Sequence, residues 1–237
     1  MSYDELWPGG PRFLQTDGGF PLSTDSVLLA HFAAGIRAER ILDLGCGAGV
    51  LTVLLHISHP GAEIGGVELQ PESAALCRQN LEVNGCQAGG IRTMDLRAHR
   101  GVLEAGGYDL VVSNPPYFPV DSGLPSPDDR RAAARDERYC TLDDVCTAAA
   151  YLTCWGGAFA MVHRPERLPE IFAALTAHSL EPKRLRMIQH RAESAPNLVL
   201  IEARHGGRPG LSIEAPLVMC AADGSDSREL KLIYHRG

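Results

Sequence analysis

The chain has 237 residues, 45% of them hydrophobic, and a formal net charge of −7. That size and composition fit one large domain with a substantial core and exclude disorder throughout. The acidic balance counts against a dedicated polynucleotide binder, although a local basic face can sit on an acidic body. The seven cysteines are scattered and free of CxxC spacing, which excludes a disulfide scaffold or a cysteine zinc site and fits a reducing cytosol.

The opening Met1-Ser2-Tyr3-Asp4-Glu5 is polar, so no signal peptide is read. No apolar run approaches the ~20 residues that span a bilayer. A cytoplasmic protein without a membrane or metal partner is therefore expected. No motif sets an assembly, so the oligomeric state is left open and a monomer is compatible with the sequence. The whole chain, 1–237, reads as a single domain with an N-terminal extension over 1–38. That extension holds one helix at 27–36, with Thr24, Asp25 or Ser26 as its cap.

Strands and helices then alternate. Strands are predicted at 40–44, 63–69, 91–94, 108–113, 158–163, 184–189 and 198–203. Helices are predicted at 50–56, 71–83, 98–105, 142–154 and 166–179. This order predicts an α/β fold with a mostly parallel seven-stranded sheet, helices on both faces and a terminal antiparallel hairpin. A long loop over 118–138 (FPVDSGLPSPDDRRAAARDER) is read as a lid or substrate arm.

Two stretches carry chemistry. Asp43-Leu44-Gly45-Cys46-Gly47-Ala48-Gly49 ends the first main strand in a glycine turn that lets a ligand approach the backbone. The dinucleotide pattern GxGxxG/A would want a small residue at position 50, which holds Val50, so NAD is disfavoured. Glu68 ends the next strand nineteen residues after Gly49, a spacing that suits a carboxylate on ribose hydroxyls. Asp95 ends the third, as an acceptor for an adenine amino group or as a helix cap. Three carboxylates at successive strand ends suit a cationic nucleoside such as S-adenosylmethionine and repel a polyphosphate.

The second stretch is Asn114-Pro115-Pro116-Tyr117. The apolar strand before it meets two prolines that cannot continue a ladder, so the chain stops where α/β sheets bind ligands. An amide, rigid carbonyls and an aromatic ring then share a small space. Such a set suits a flat group bearing an NH2.

With these motifs in place, the chain resembles the Rossmann-like methyltransferases that methylate amino groups through (D/N/S)PP(Y/F). It resembles most closely the bacterial valine-tRNA adenine-N6 methyltransferases. The stretches that carry the likeness are Thr24–Leu29, Asn114–Phe118, Ala134–Glu137, Val162–Leu168, Glu181–Arg184 and Asn197–Glu202, in family order. One departure is Asp136, where many relatives carry His. The resemblance implies a SAM-dependent N-methyltransferase acting on adenine N6 in tRNA near the anticodon. It implies catalytic roles for Asn114, Pro115, Pro116 and Tyr117. It places the cofactor on Thr24, Asp25, Asp43, Gly45, Gly47, Gly49, Glu68, Leu69, Asp95, Leu96 and Asn114.

For the substrate, Phe118 or Tyr117 would stack on the base, and Arg135, Lys183, Arg184 and Arg186 would meet phosphates. Arg130, Arg131, Arg135 and Arg138 lie among acidic neighbours, Asp128, Asp129, Asp136 and Glu137, that match them in number. Other substrates with the same chemistry are a protein glutamine amide, ribosomal RNA or DNA. The glutamine enzymes carry a helical domain ahead of the first strand, for which some forty residues leave too little room. A non-catalytic nucleoside- or RNA-binding module would keep the glycines and Glu68 but have no need of Asn114.

Overall fold

The computed structural model describes residues 3–14, 23–115 and 140–236. A short antiparallel pair opens the chain, β1 (Tyr3–Glu5) with β2 (Arg12–Leu14). Helix α1 (Thr24–Ala33) leads to β3 (Arg40–Leu44), α2 (Val50–Ser58), β4 (Glu63–Glu68), α3 (Pro71–Val83), β5 (Ile91–Thr93) and β6 (Tyr108–Ser113). After residue 139 come α4 (Leu142–Leu152), β7 (Thr153–His163), α5 (Leu168–Ala177), β8 (Leu180–Gln189) and β9 (Leu198–His205). Two short strands, β10 (Ser212–Ile213) and β11 (Leu217–Val218), and helix α6 (Arg228–Ile233) follow.

Nine strands form one sheet in the order β10-β8-β9-β7-β6-β3-β4-β5, with β11 also on β8. β3 through β9 correspond to the seven predicted strands, and β10 and β11 are additional. β3 through β7 pair parallel, and β9 is antiparallel to both β7 and β8. The reason is visible in β6. Leu110 and Val112 bury into one cluster with α1, α2 and α3, and Val111 into another with α4 and α5. A strand covered on both faces must be apolar on both, which is why YDLVVS does not alternate.

Several boundaries differ from expectation; β7 and β8, for example, begin at Thr153 and Leu180 where 158 and 184 are predicted. The helix predicted at 98–105 is a single 3-10 turn, Leu96–Ala98, capped by Asp95. Gly101 and Gly106 follow at φ 75° and 62°, left-handed values that end a right-handed helix. The helix predicted to reach 154 stops at Leu152, because Thr153 is already extended and starts β7. Helix α1 starts at Thr24, so Thr24, Asp25 and Ser26 occupy its first turn and Ser23 is the cap.

The β1–β2 pair was not predicted. Asn80 of α3 and Asn84 at its C-cap hold it: Asn84 accepts from Arg12 N at 2.9 Å and donates to Arg12 O at 2.8 Å, and Asn80 accepts from Leu14 N at 2.8 Å. Phe13 is then sealed in the core, a burial worth about 1.5–3 kcal/mol.

Candidate active site

The carboxyl ends of β3, β4 and β6 meet around the glycine turn. Gly45 N and Cys46 N both donate to Val67 O, at 2.8 and 3.0 Å, which folds the turn over β4. Gly45, Gly47 and Gly49 all sit at positive φ (78°, 52° and 88°), where other L-residues are strained. A Cβ at Gly45 or Gly47 would meet nothing within 4 Å. Packing therefore does not demand these two glycines; backbone conformation and an open cradle do. Asn80 closes the far side, donating Nδ2 to Ala48 O at 2.8 Å.

Gly49 is different. A Cβ there would lie 2.7 Å from Cys77 Sγ and 3.2 Å from Cys77 Cα. Gly49→Ala should combine backbone strain with overpacking, roughly 2–5 kcal/mol in all. Gly47→Ala meets strain alone. Thermal melts should show a clearly larger loss for Gly49→Ala; equal losses would refute the packing argument.

Glu68 is buried, and each carboxylate oxygen accepts one backbone N–H: Oε2 from Gly47 at 2.9 Å and Oε1 from Gln70 at 2.8 Å. A carboxylate has about four acceptor positions, so two remain for hydroxyl donors. Leu69 beside it is 42% exposed, an apolar surface at the lip of the turn. Leu96 is partly buried against the other core cluster.

Asp43 is the most perturbed acid. It is fully buried, and Thr52 of α2 donates to its Oδ2 at 2.7 Å. Its Oδ1 is buried with no hydrogen-bond partner among the described residues. Burial, and next the nearby Glu68, push its carboxyl up to about 7 against the opposing Thr52 bond. A buried acceptor without a donor is costly, and a cationic ligand group would satisfy it. The positive-φ cradle, Glu68 and this oxygen together fit S-adenosylmethionine.

Asp95 does not add to that acidity. Arg97 donates to it from its backbone at 2.9 Å and from Nε at 3.0 Å, and this pairing holds the carboxyl below its ordinary range. Its side chain caps the 3-10 turn and pairs with Arg97, whereas Asp43 and Glu68 make no ion pair among the described residues.

Asn114 follows Ser113, which pairs with Leu44 across β3 and donates its hydroxyl to Leu44 O at 2.8 Å. Asn114 therefore stands beside Gly45. It shares the sheet face of Val112 and Asp43, which pair across the two strands. Its Nδ2 donates to Ser26 Oγ in the first turn of α1 at 3.1 Å. That bond brings Thr24, Asp25 and the α1 amino end to the same edge, where the helix dipole favours an anionic group. Pro115 is buried next to it. Pro116, Tyr117, Phe118 and Arg135, together with the predicted loop at 118–138, lie outside the described residues.

Comparison with known proteins decides among the chemistries this edge allows. Residues 23–122 match the family model "Methyltransferase small domain". The tRNA1(Val) (adenine(37)-N6)-methyltransferase of Porphyromonas gingivalis is 29% identical over 200 residues, 80% of this chain and 76% of that protein. The enzyme of the same name from Tolumonas auensis is 30% identical over 181 residues, 76% of this chain and 74% of that one. The chain belongs to this methyltransferase family. A crystal structure of a "predicted O-methyltransferase" from Agrobacterium tumefaciens superimposes with a TM-score of 0.71 at 25% identity, over 90% of this chain and 97% of that one.

Within this family member, the basic stripe read along 183–186 is largely structural. Arg184 donates Nε to Glu202 at 2.9 Å, Nη1 to Glu214 at 3.2 Å and Nη2 to Phe32 O at 2.7 Å, and lies 3.8 Å over the Phe32 ring. Arg186 is 16% exposed and bound to Glu229 at 2.7 Å and Ala215 O at 3.0 Å. Both guanidinium groups fasten β8 to its surroundings. Lys183 donates to Arg208 O at 3.1 Å. His163 is buried and pushed down to about 3 by that burial, so it is neutral, with Nδ1 accepting from Arg164 N at 2.8 Å.

Three site residues escaped the sequence reading: Ser26, Thr52 and Asn80. Thr52 and Asn80 left a signal, each a polar residue on the buried side of a helix. Ser26 had been read only as a possible cap. Among the described residues no three His, Cys, Asp or Glu side chains are grouped to hold a metal ion, and no helix is long and apolar enough to cross a membrane.

Proposed function

We propose that this chain transfers a methyl group from S-adenosylmethionine to N6 of an adenine in tRNA, adenine 37 of tRNA(Val), in the cytoplasm. The observation that carries the reading is Asn114, held at a blocked strand end beside the glycine turn in a chain of this family. The cofactor supplies an electrophilic methyl group on a sulfonium. Glu68 accepts from the ribose hydroxyls, Asp43 Oδ1 faces the cationic end, and the amino end of α1 with Thr24 and Asp25 borders the methionine end.

The adenine amino nitrogen is a weak nucleophile because its lone pair delocalises into the ring. Acceptance of its hydrogens by Asn114 Oδ1 and the Pro115 carbonyl holds it nearer a tetrahedral shape and offsets the positive charge that builds on it. Tyr117 or Phe118 stacks on the base, a contact of about 1–3 kcal/mol. Arg135 and Lys183 are left as candidate phosphate contacts. Most of the acceleration then comes from alignment.

The test is incubation with methyl-labelled S-adenosylmethionine and unmodified tRNA, followed by nucleoside mass spectrometry. N6-methyladenosine at position 37 of tRNA(Val) is expected. Cofactor binding without transfer, or label on protein glutamine alone, would overturn the proposal.

A further inference from the structure

One fully buried side chain joins the first strands of the chain to the glycine turn. Asn80 is 0% exposed and lies on the face of α3 that also carries Cys77, which packs on Gly49, and Asn84 at the helix end. Its Oδ1 accepts from Leu14 N at 2.8 Å, and its Nδ2 donates to Ala48 O at 2.8 Å. A backbone N–H only donates and a carbonyl only accepts, so each end of this amide has one assignment. A half-turn of the amide would lose both bonds.

The turn has need of such a hold. Glycine at 47 and 49 removes the Cβ atoms that restrict rotation, so the intervening backbone is loose unless it is tied. Gly49 N donates to Cys46 O at 2.8 Å from within the turn, and Asn80 takes the carbonyl of the same peptide from outside. Gly47, next to Ala48, carries the N–H that meets Glu68 at 2.9 Å. A shift of Ala48 is therefore felt at the carboxylate proposed for the ribose. At the other end of the amide, β2 pairs with β1 on one side and bonds α3 on the other, through Asn80 and Asn84.

We infer that Asn80 is a positioning residue that makes the β1–β2 pair part of the cofactor site. Docking of β2 on α3 and binding of S-adenosylmethionine at the glycine turn strengthen each other through this one amide. The inference rests on the proposed placement of the cofactor at that turn and goes beyond it, since β1 and β2 carry none of the residues assigned to the cofactor.

The experiment compares the unaltered chain with Asn80→Ala, Asn84→Ala and the two combined. It reads S-adenosylmethionine Kd by calorimetry, Tm, and hydrogen–deuterium exchange at residues 12–14 with and without cofactor. Coupling is reciprocal, so saturating cofactor should slow exchange at Leu14 about fivefold or more in the unaltered chain. That protection should vanish in Asn80→Ala, and Kd should rise about tenfold. Asn84→Ala loosens β2 without touching the turn, and Phe13, 1% exposed, keeps the strand in the core. It should raise Kd about threefold, and by less than about 1.5-fold once Asn80 is already alanine. Lower Tm in both single variants with unchanged Kd would mark a purely structural amide and overturn the inference while leaving the reaction intact. Cofactor protection of Leu14 that persists in Asn80→Ala would overturn it as well. Should Asn80→Ala fail to fold, an unaltered Kd in Asn84→Ala together with no protection of Leu14 in the unaltered chain has the same force. A chain that binds no S-adenosylmethionine would remove the cofactor placement and this inference with it.

Discussion

Asn114→Ala should bind S-adenosylmethionine within a few-fold of the unaltered chain and transfer its methyl group ten- to hundredfold more slowly, or worse. The magnitude follows from the bond removed. As the methyl moves, positive charge builds on the adenine nitrogen, so its hydrogen bond to Oδ1 becomes charge-assisted in the transition state, worth about 1.5–3 kcal/mol. Alanine also leaves the base free to shift, and lost alignment adds to the deficit. The proposed cofactor contacts of Glu68 and Asp43 lie on β4 and β3, away from the change. Single-turnover rates alongside calorimetric cofactor binding separate the two effects. Transfer at the unaltered rate would end the case for this residue.

Asp43→Asn should move stability and cofactor affinity in opposite directions. Burial raises the Asp43 carboxyl to about 7 from an ordinary 3.8, so the native state prefers the proton. The stability this provides is complete below pH 3.8 and is lost progressively as pH rises through about 7. Asparagine cannot ionise and still offers Thr52 an acceptor. The ligand-free variant should therefore melt above the unaltered chain at pH 8, by about 2–4 °C for each kcal/mol regained at this size. The gap should close toward pH 4. Cofactor affinity should fall about ten- to hundredfold, since the amide presents N–H where a cation needs an acceptor. Melts from pH 5 to 8 with and without cofactor test both halves. A variant no more stable at pH 8, or one with unchanged cofactor Kd, would contradict this account of Asp43.

The frame of the site was legible because its signals are local. Two prolines after an apolar strand forbid its continuation wherever the strand sits, and Asn114 stands at the end of β6 as the motif requires. Glycines at 45, 47 and 49 were expected to bend the chain beside a ligand, and all three adopt left-handed φ. The helix predicted at 98–105 failed for a local reason too: the glycines at 101 and 106 outweighed the apolar spacing between them.

Charges were the least legible feature. Arg184 and Arg186 alternate along a strand as a phosphate-binding stripe would, yet acidic side chains at 202, 214 and 229 hold them. Asp95, read as a ligand carboxylate or a helix cap, caps a 3-10 turn and pairs with Arg97 two residues away. Nothing in periodicity tells a cation that meets a ligand from one that meets a carboxylate, because both patterns are hydrophilic and exposed in one dimension.

By itself the sequence determined the alternating sheet, the glycine cradle and the blocked strand end, because each follows from steric rules acting over a few neighbouring residues. Only the tertiary structure decided which side chains meet at the strand ends and which brace the fold. Ser26 reaches Asn114 across 88 residues and Arg184 reaches Phe32 across 152. Bonds of that span are selected by ångström-scale positions that exist only once the core has packed.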